Sequence, residues 1–282
     1  MSITHVQYAL LADVLRRRSG LALPPGKSAL IQSKLAPVAG RFGFKEVSAM
    51  LAELEDEPEE LTTAVTEAMT TNETSFFRDP VCFEHLRAAI LPALKRARAH
   101  KRRLRIWSSA ASAGQEPYSV AMLLCEIGLL PSDWKIDLFA TDLSSEAVAR
   151  IRNGVYSQFE VERGLPPSYR ARYFKQVGEQ WRIAGYLRRS LRVRRFNLLD
   201  NYSWLGEIDV ILCRNVLLYF DHAERLDALA RLEKCLAPDG WLILGTTESA
   251  SSASDLFTPA DARRGVYVKS RNAPARQARL AG

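Results

Sequence analysis

The chain has no apolar run approaching the ~18 residues that a membrane-spanning helix needs, so no span is expected. It is poor in cysteine. Cys82, Cys125, Cys213 and Cys235 lie far apart and none forms a C-x-x-C pair. That spacing argues against a disulfide framework or a zinc site and for reduced, buried thiols, with no metal expected. The opening residues Met1-Ser2-Ile3-Thr4-His5 lack the charged segment and apolar block of a secretory signal, so a cytoplasmic location is the expectation. Two phosphate-binding signatures are missing as well. Neither G-x-G-x-x-G nor G-x-x-x-x-G-K-[ST] occurs, so neither a pyrophosphate cradle nor a P-loop is indicated.

What is present is a length of 282 residues, 47% of them hydrophobic, enough for one large domain or two unequal ones. The formal net charge is +7, with positive residues clustered from Lys95 to Arg105, Arg188 to Arg195 and Arg263 to Arg279. Such a surface favours an acidic partner: nucleic acid, anionic lipid or a glutamate-rich protein. Charge alone does not choose among them, and for any one cluster a solvated face is the more ordinary explanation.

The first ~70 residues read as helices only. Ile3, Val6, Leu10, Leu11, Val14 and Leu15 recur at helical spacing before Gly20. A second helix is predicted from about Pro25 to Arg41, bent or ended early by Pro37. Val47 to Leu54 and Leu61 to Met69 mark two more. From about residue 104, strands alternate with helices, the pattern of a parallel sheet covered on both faces. Strands are expected at Leu104–Ser108, Ile136–Thr141, Arg192–Asn197, Ile208–Arg214, Trp241–Thr246 and Gly265–Lys269, with helices at Glu116–Ile127, Ser145–Asn153 and Ala223–Leu236. Pro238-Asp239-Gly240 reads as a turn. Phe174–Val177, Trp181–Ala184 and Leu191–Val193 read as a small antiparallel insertion. The expected organisation is therefore a helical domain (1–70), a linker and cofactor-covering segment (71–103), an α/β domain (104–270, with the insertion at about 157–195) and a flexible basic tail (271–282).

In open parallel sheets, ligands bind where the carboxyl ends of strands meet helix starts. The run Leu104 to Ser119 is the clearest such place: a short strand, then Ser108-Ser109-Ala110-Ala111-Ser112-Ala113-Gly114, then Glu116 and Pro117 at a helix start. Tiny residues let backbone approach a ligand closely, which suits a nucleoside without a phosphate such as S-adenosylmethionine. Asp142 follows the second strand and is either a ribose acceptor or a helix cap. Asn215, in Cys213-Arg214-Asn215, offers donors and an acceptor to an adenine edge or a substrate, or is a turn residue. The polar and doubly aromatic run Thr70 to Asp79 is either a hydrophobic hinge or a wall folded over the cofactor.

Five of these stretches, in order, resemble the chemotaxis receptor methyltransferases, the CheR family. They are Thr70-Thr71-Asn72-Glu73-Thr74-Ser75-Phe76-Phe77-Arg78, Arg105 through Ser119, Ala140-Thr141-Asp142, Asn197-Leu198-Leu199, and Asp209 through Phe220. The resemblance implies a Rossmann-like class I S-adenosylmethionine-dependent methyltransferase with an N-terminal all-helical domain and a small inserted antiparallel β-subdomain. It implies methyl esterification of glutamate side chains on the cytoplasmic helical domain of chemoreceptors, with S-adenosylhomocysteine as product. By motif position, cofactor contacts fall on Asn72, Thr74, Arg78, Glu116, Asp142, Asn197, Leu198, Arg214 and Asn215. Ala113 stands where members often have Thr. The segment from Lys175 to Arg195 lacks the longer glycine-containing loop of members that grip a receptor's C-terminal tether, so tethered recognition is not carried over.

A glutamate side chain has a pKa near ~4.3 and is ionised at neutral pH, so the reaction needs no general base. Arg78 is the expected functional cation, and Tyr219 either sits near the transferred methyl or fills the core beside Phe220. Lys27, Lys34 and Arg41 are seven apart and form a basic stripe that would dock an acidic receptor helix. A nucleic-acid methyltransferase would share fold and charge. However, Cys213-Arg214-Asn215-Val216 stands where enzymes that methylate exocyclic amines carry an Asn- or Asp-Pro-Pro-aromatic run, so nucleic acid is not the expected partner. A non-catalytic cofactor-binding module is the other competing reading.

Overall fold

Thr4 opens the first helix with a capping box: its hydroxyl accepts from the Gln7 backbone N–H, and the Gln7 side chain accepts from Thr4. In the computed structural model, residues 3–253, 255–260 and 265–270 are described; the expected basic tail lies outside them. Four helices follow one another: α1 (His5–Ser19), α2 (Ser28–Arg41), α3 (Val47–Glu53) and α4 (Glu59–Met69). Leu11, Leu15, Ile31, Leu35, Met50, Leu51 and Val65 close a core of their own. α2 reaches Arg41 as expected, and Pro37 does not end it early. Pro37 is exposed, so water can satisfy the carbonyl one turn back that loses its N–H partner.

Two further helices, α5 (Pro80–His85) and α6 (Leu91–Ala97), precede the sheet. Phe83, Leu86, Ile90, Leu91 and Leu94 bury one side of this stretch in the sheet core. Residues 80–97 are therefore a helical layer packed on the sheet core.

The remaining elements are β1 (Arg103–Ser108), α7 (Gln115–Glu126), β2 (Lys135–Asp142), α8 (Ser145–Asn153), β3 (Val155–Ser157), α9 (Gln158–Glu162), α10 (Pro167–Tyr173), β4 (Phe174–Val177), β5 (Gln180–Ile183), α11 (Gly185–Ser190), β6 (Leu191–Arg195), β7 (Ile208–Cys213), α12 (His222–Cys235), β8 (Leu236–Leu244), β9 (Phe257–Pro259) and β10 (Val266–Lys269). The main sheet has the order β6-β2-β1-β7-β8-β10-β9. The first five strands are parallel, and β10 and β9 are antiparallel additions. All five parallel strands thus end on one edge, beside the starts of α7 and α8. This is the expected Rossmann-like class.

Three elements differ from the sequence reading. Leu191–Val193 is not part of the antiparallel insertion; it pairs parallel with β2 at the margin of the main sheet. The insertion's third strand is instead β3, which pairs with β5 while β5 pairs with β4. Short apolar runs do not say which sheet they join, because either partner buries them. Finally, Pro238-Asp239-Gly240 is a bulge inside β8. Ile208 pairs with Leu236 but Val210 pairs with Trp241, so the longer segment must loop outward. Arg98 holds the bulge, donating to Asp239 at 2.8 Å and to Asp209 at 2.8 Å.

The segment joining the two cores is itself anchored. Phe76 is fully buried, 5.0 Å from the ring of Tyr156 and 5.4 Å from that of Phe174, both in the inserted unit. Gly164 makes that seat possible. It has φ +85°, and a Cβ there would lie 2.2 Å from the Phe76 carbonyl oxygen. Left-handed backbone alone costs an L-residue roughly 1–2 kcal/mol, and the overlap adds to it. Gly164→Ala should therefore lower the urea midpoint clearly. An unchanged midpoint would mean that the two backbones do not need this approach.

Candidate functional site

The small-residue turn after β1 and the end of β2 are joined by Asp142. Its Oδ2 accepts from the Ser112 backbone N–H at 2.8 Å and its Oδ1 from that of Ser144 at 2.9 Å. The cap of α8 is Ser144, whose hydroxyl accepts from Ala147, so the helix-cap alternative for Asp142 does not hold. Asp142 is 7% exposed. Burial pushes its carboxyl above the usual aspartate range, partly offset by the N–H groups of Ser144, Ser112 and Leu143. With Ser112 and Ser144 each donating to one oxygen, the carboxylate still has acceptor capacity for a ligand.

The first turn of α7 carries Glu116, 8% exposed. It accepts from the Ser108 hydroxyl at 2.7 Å and from Arg214 Nη1 at 2.8 Å. Arg214 then donates through Nη2 to the Arg78 carbonyl at 2.8 Å and to Asp79 Oδ2 at 2.5 Å, beside the ring of Phe83. Its side chain is 2% exposed. Burial opposes its charge, but Glu116, Cys82 and Asp79 outweigh that and hold the guanidinium above its ordinary value. Glu116 and Arg214 are thus a desolvated pair that ties the linker to the ends of β1 and β7.

The linker crosses this edge. The Asn72 carbonyl accepts from the Ser112 hydroxyl at 3.0 Å, and the Phe77 N–H donates to Ser119 at 3.0 Å. Arg78 is half-buried, with Nη1 on the Glu73 carbonyl at 2.9 Å, and Glu73 pairs with Arg163 at 2.8 Å. The hinge and wall readings of Thr70 to Asp79 therefore merge: Phe76 anchors the segment while Asn72, Glu73, Thr74 and Arg78 face a cavity.

That cavity, about 960 Å³ including the part open to solvent, is lined by Asn72, Thr74, Arg78, Glu116, Asp142, Asn197, Leu198, Arg214, Asn215 and Tyr219 together. All nine positions expected to contact the cofactor, and the aromatic expected beside them, meet in one place. Spare acceptors on Asp142 and a tiny-residue turn at Ser109, Ala110 and Ser112 fit a nucleoside. Tyr219 and Phe220 both line the cavity, and Phe220 is in addition buried against Gly20. Four residues with left-handed backbone, Phe77, Asp79, Ser112 and Asn215, lie in or beside this wall, a pattern common where geometry is held for function.

The helical unit closes one side. Asn197 donates to the Arg18 carbonyl at 2.6 Å, and the Ala22 N–H donates to the Tyr219 carbonyl at 2.7 Å. The side chain of Asn197 is therefore largely occupied in bridging the two units. Lys34 departs from the expected docking stripe. Its ammonium donates to the carbonyls of Met69 and Thr70 at 3.3 and 2.5 Å, and burial lowers its pKa. It caps the end of α4 and leads into the linker, whereas Lys27 and Arg41 are exposed.

Glu248 was not singled out from the sequence. It is buried at the loop after β8 and accepts from four backbone N–H groups around Asn215 and Gly245. The rule that flagged Asp142, a carboxylate past the carboxyl end of a parallel strand, applies to it equally. The four cysteines are free thiols raised by burial. Among the described residues, no three His, Cys, Asp or Glu gather to hold a metal, and no helix is long and apolar enough to cross a membrane.

Residues 7–70 match the family model "CheR methyltransferase, all-alpha domain", and residues 72–266 match "CheR methyltransferase, SAM binding domain". The chain is 35% identical over 276 residues to a chemotaxis protein methyltransferase of Vibrio parahaemolyticus, covering 95% of this chain and 98% of the relative. It is 34% identical to chemotaxis protein methyltransferase 1 of Pseudomonas aeruginosa, over 96% and 100% of the two chains. Against the chemotaxis protein methyltransferase of Escherichia coli the identity is 31%, over 92% and 89%. With a helical unit and an S-adenosylmethionine-binding sheet domain in the family's order, and with relatives aligned along nearly its whole length, the chain belongs to the CheR methyltransferase family.

Proposed function

We propose that this methyltransferase esterifies glutamate side chains on the cytoplasmic helical domain of chemoreceptors. The observation that carries the reading is the single cavity in which linker, β1 turn, β2 end and β7 turn all meet. Bound S-adenosylmethionine supplies an electrophilic methyl on a sulfonium. Asp142 would accept the ribose hydroxyls with its spare lone pairs. Asn72, Thr74, Asn197, Leu198 and Asn215 would line the remainder of the cofactor, with Glu116 and Arg214 holding the wall rigid by neutralising each other.

Arg78 has donors left over after its bond to Glu73, and these would hold a carboxylate of the cofactor or the substrate glutamate. Tyr219 would place its ring or hydroxyl against the reacting groups. The nucleophile arrives already ionised, so these residues position and exclude water and none takes up a proton. Positioning of this kind supplies about 7–11 kcal/mol. A charge-assisted hydrogen bond contributes about 1.5–3 kcal/mol, so Arg78→Ala should lower cofactor affinity or turnover by roughly tenfold to a hundredfold. Unchanged values of both would remove Arg78 from the site.

For substrate docking, Lys27 at the start of α2 and Arg41 at its end remain exposed, and Lys34 is taken up by the end of α4. Charge reversal at Lys27 and Arg41 should raise the KM for receptor and leave cofactor affinity alone; equal KM values would count against the stripe. The direct test of function is transfer of labelled methyl from S-adenosylmethionine to purified receptor cytoplasmic fragments. Label released by mild base as methanol is the expected result. Stable label, or label taken up only by nucleic acid, would defeat the proposal.

A further inference from the structure

The loop after β8 carries Glu248, and its carboxylate is filled entirely by backbone. Oε2 accepts from Asn215 at 2.6 Å and from Gly245 at 2.7 Å; Oε1 accepts from Val216 at 2.9 Å and from Leu218 at 3.1 Å. Three of these four donors belong to the turn between β7 and α12. That turn holds Asn215 at φ +57° and presents Asn215, Val216 and Tyr219 to the cavity. A left-handed asparagine with three converging N–H groups does not hold itself; the N–H groups need a common acceptor. Gly245 leaves room for it. A Cβ there would lie 2.7 Å from both Asn215 Nδ2 and Glu248 Oε2.

We propose that Glu248 is a positioning residue for methyl transfer, clamping the turn after β7 so that Asn215 and Tyr219 face the cofactor and the substrate. The role rests on the cofactor reading of that cavity. Glu248 itself acts through the turn.

Glu248→Gln keeps the shape but sets an NH₂ group against two backbone N–H donors, so half the clamp opens. Buried donors left unpaired are costly, and the expected result is a rise of about tenfold or more in the Kd for S-adenosylhomocysteine. Turnover should fall by a similar factor, while the KM for a receptor fragment, assigned above to Lys27 and Arg41, stays within about twofold. Gly245→Ala presses the same turn from the other side with the carboxylate intact, and should raise the same Kd. Because both changes act on one turn, the double variant should lose less than the product of the two single effects.

Folded variants with lower thermal stability but unchanged Kd and turnover would overturn the proposal, as would fully multiplicative effects. If Glu248→Gln does not fold, Gly245→Ala decides alone, and failure of both to fold would make Glu248 purely structural. A wild-type protein that takes up no S-adenosylhomocysteine would instead overturn the cofactor reading, and this role with it.

Discussion

Replacing Arg214 with methionine should destabilise the protein by about 3–5 kcal/mol, the usual result of removing one partner from a buried ion pair. The deleted guanidinium is nearly inaccessible and serves Glu116, Asp79 and the Arg78 carbonyl together. Glu116 would be left with the Ser108 hydroxyl alone, at a nearly buried position. The measurement is a urea midpoint, with Glu116→Gln and the double variant beside it. The double variant should recover part of the loss, because a neutral amide replaces the buried Glu116 charge, while the more exposed Asp79 still lacks its partner. Methylation should fall as well, since Arg78 and the linker lose their tie to β7. Independent, additive losses would show that the two side chains do not act as a pair.

Asp142→Asn should raise the Kd for S-adenosylhomocysteine by roughly tenfold to a hundredfold, the scale of one hydrogen bond to a charged acceptor. The amide keeps one oxygen and turns a donor toward either Ser112 N–H or Ser144 N–H, so the proposed ribose acceptor is lost and the turn loosens. A pH series separates these effects. Burial raises the carboxyl pKa in the folded protein, so folding favours the protonated form. Its stabilising contribution is present below the unfolded aspartate pKa, near ~3.9, and is lost as pH rises through the raised folded value. At neutral pH the anion is therefore a burden on stability, kept for its acceptor capacity. Cofactor affinity should weaken on acidification at a higher pH than an ordinary aspartate would give, and the Asn variant should lack that inflection. If the inflection persists in the variant, another group is responsible.

The outline of the site was legible in the sequence because it depends on local chemistry. A strand ending in tiny residues, an acid after the next strand and a polar turn after a third all point to the shared carboxyl edge, and Glu116, Asp142 and Asn215 do line one cavity there. The roles within it were less legible. Nothing near Glu116 in the chain shows that Arg214, far along the sequence, neutralises it, and Glu248 looks like a loop carboxylate until four N–H groups are seen to converge on it.

Periodicity by itself determined that the chain opens with helices and continues as strands alternating with helices, since spacing records which side of an element must leave water. Only the tertiary structure decided what that side meets. Leu191–Val193 is apolar enough for either sheet, and pairing with β2 chose the larger one. Lys34 shares its spacing with Lys27 and Arg41, yet the end of α4 presents bare carbonyls to it and not to the others. A carbonyl left over at a helix end, or a donor left over in a turn, meets a distant partner only once the segments are packed. The charged residues that answer those groups take their roles at that point, and sequence spacing carries no record of it.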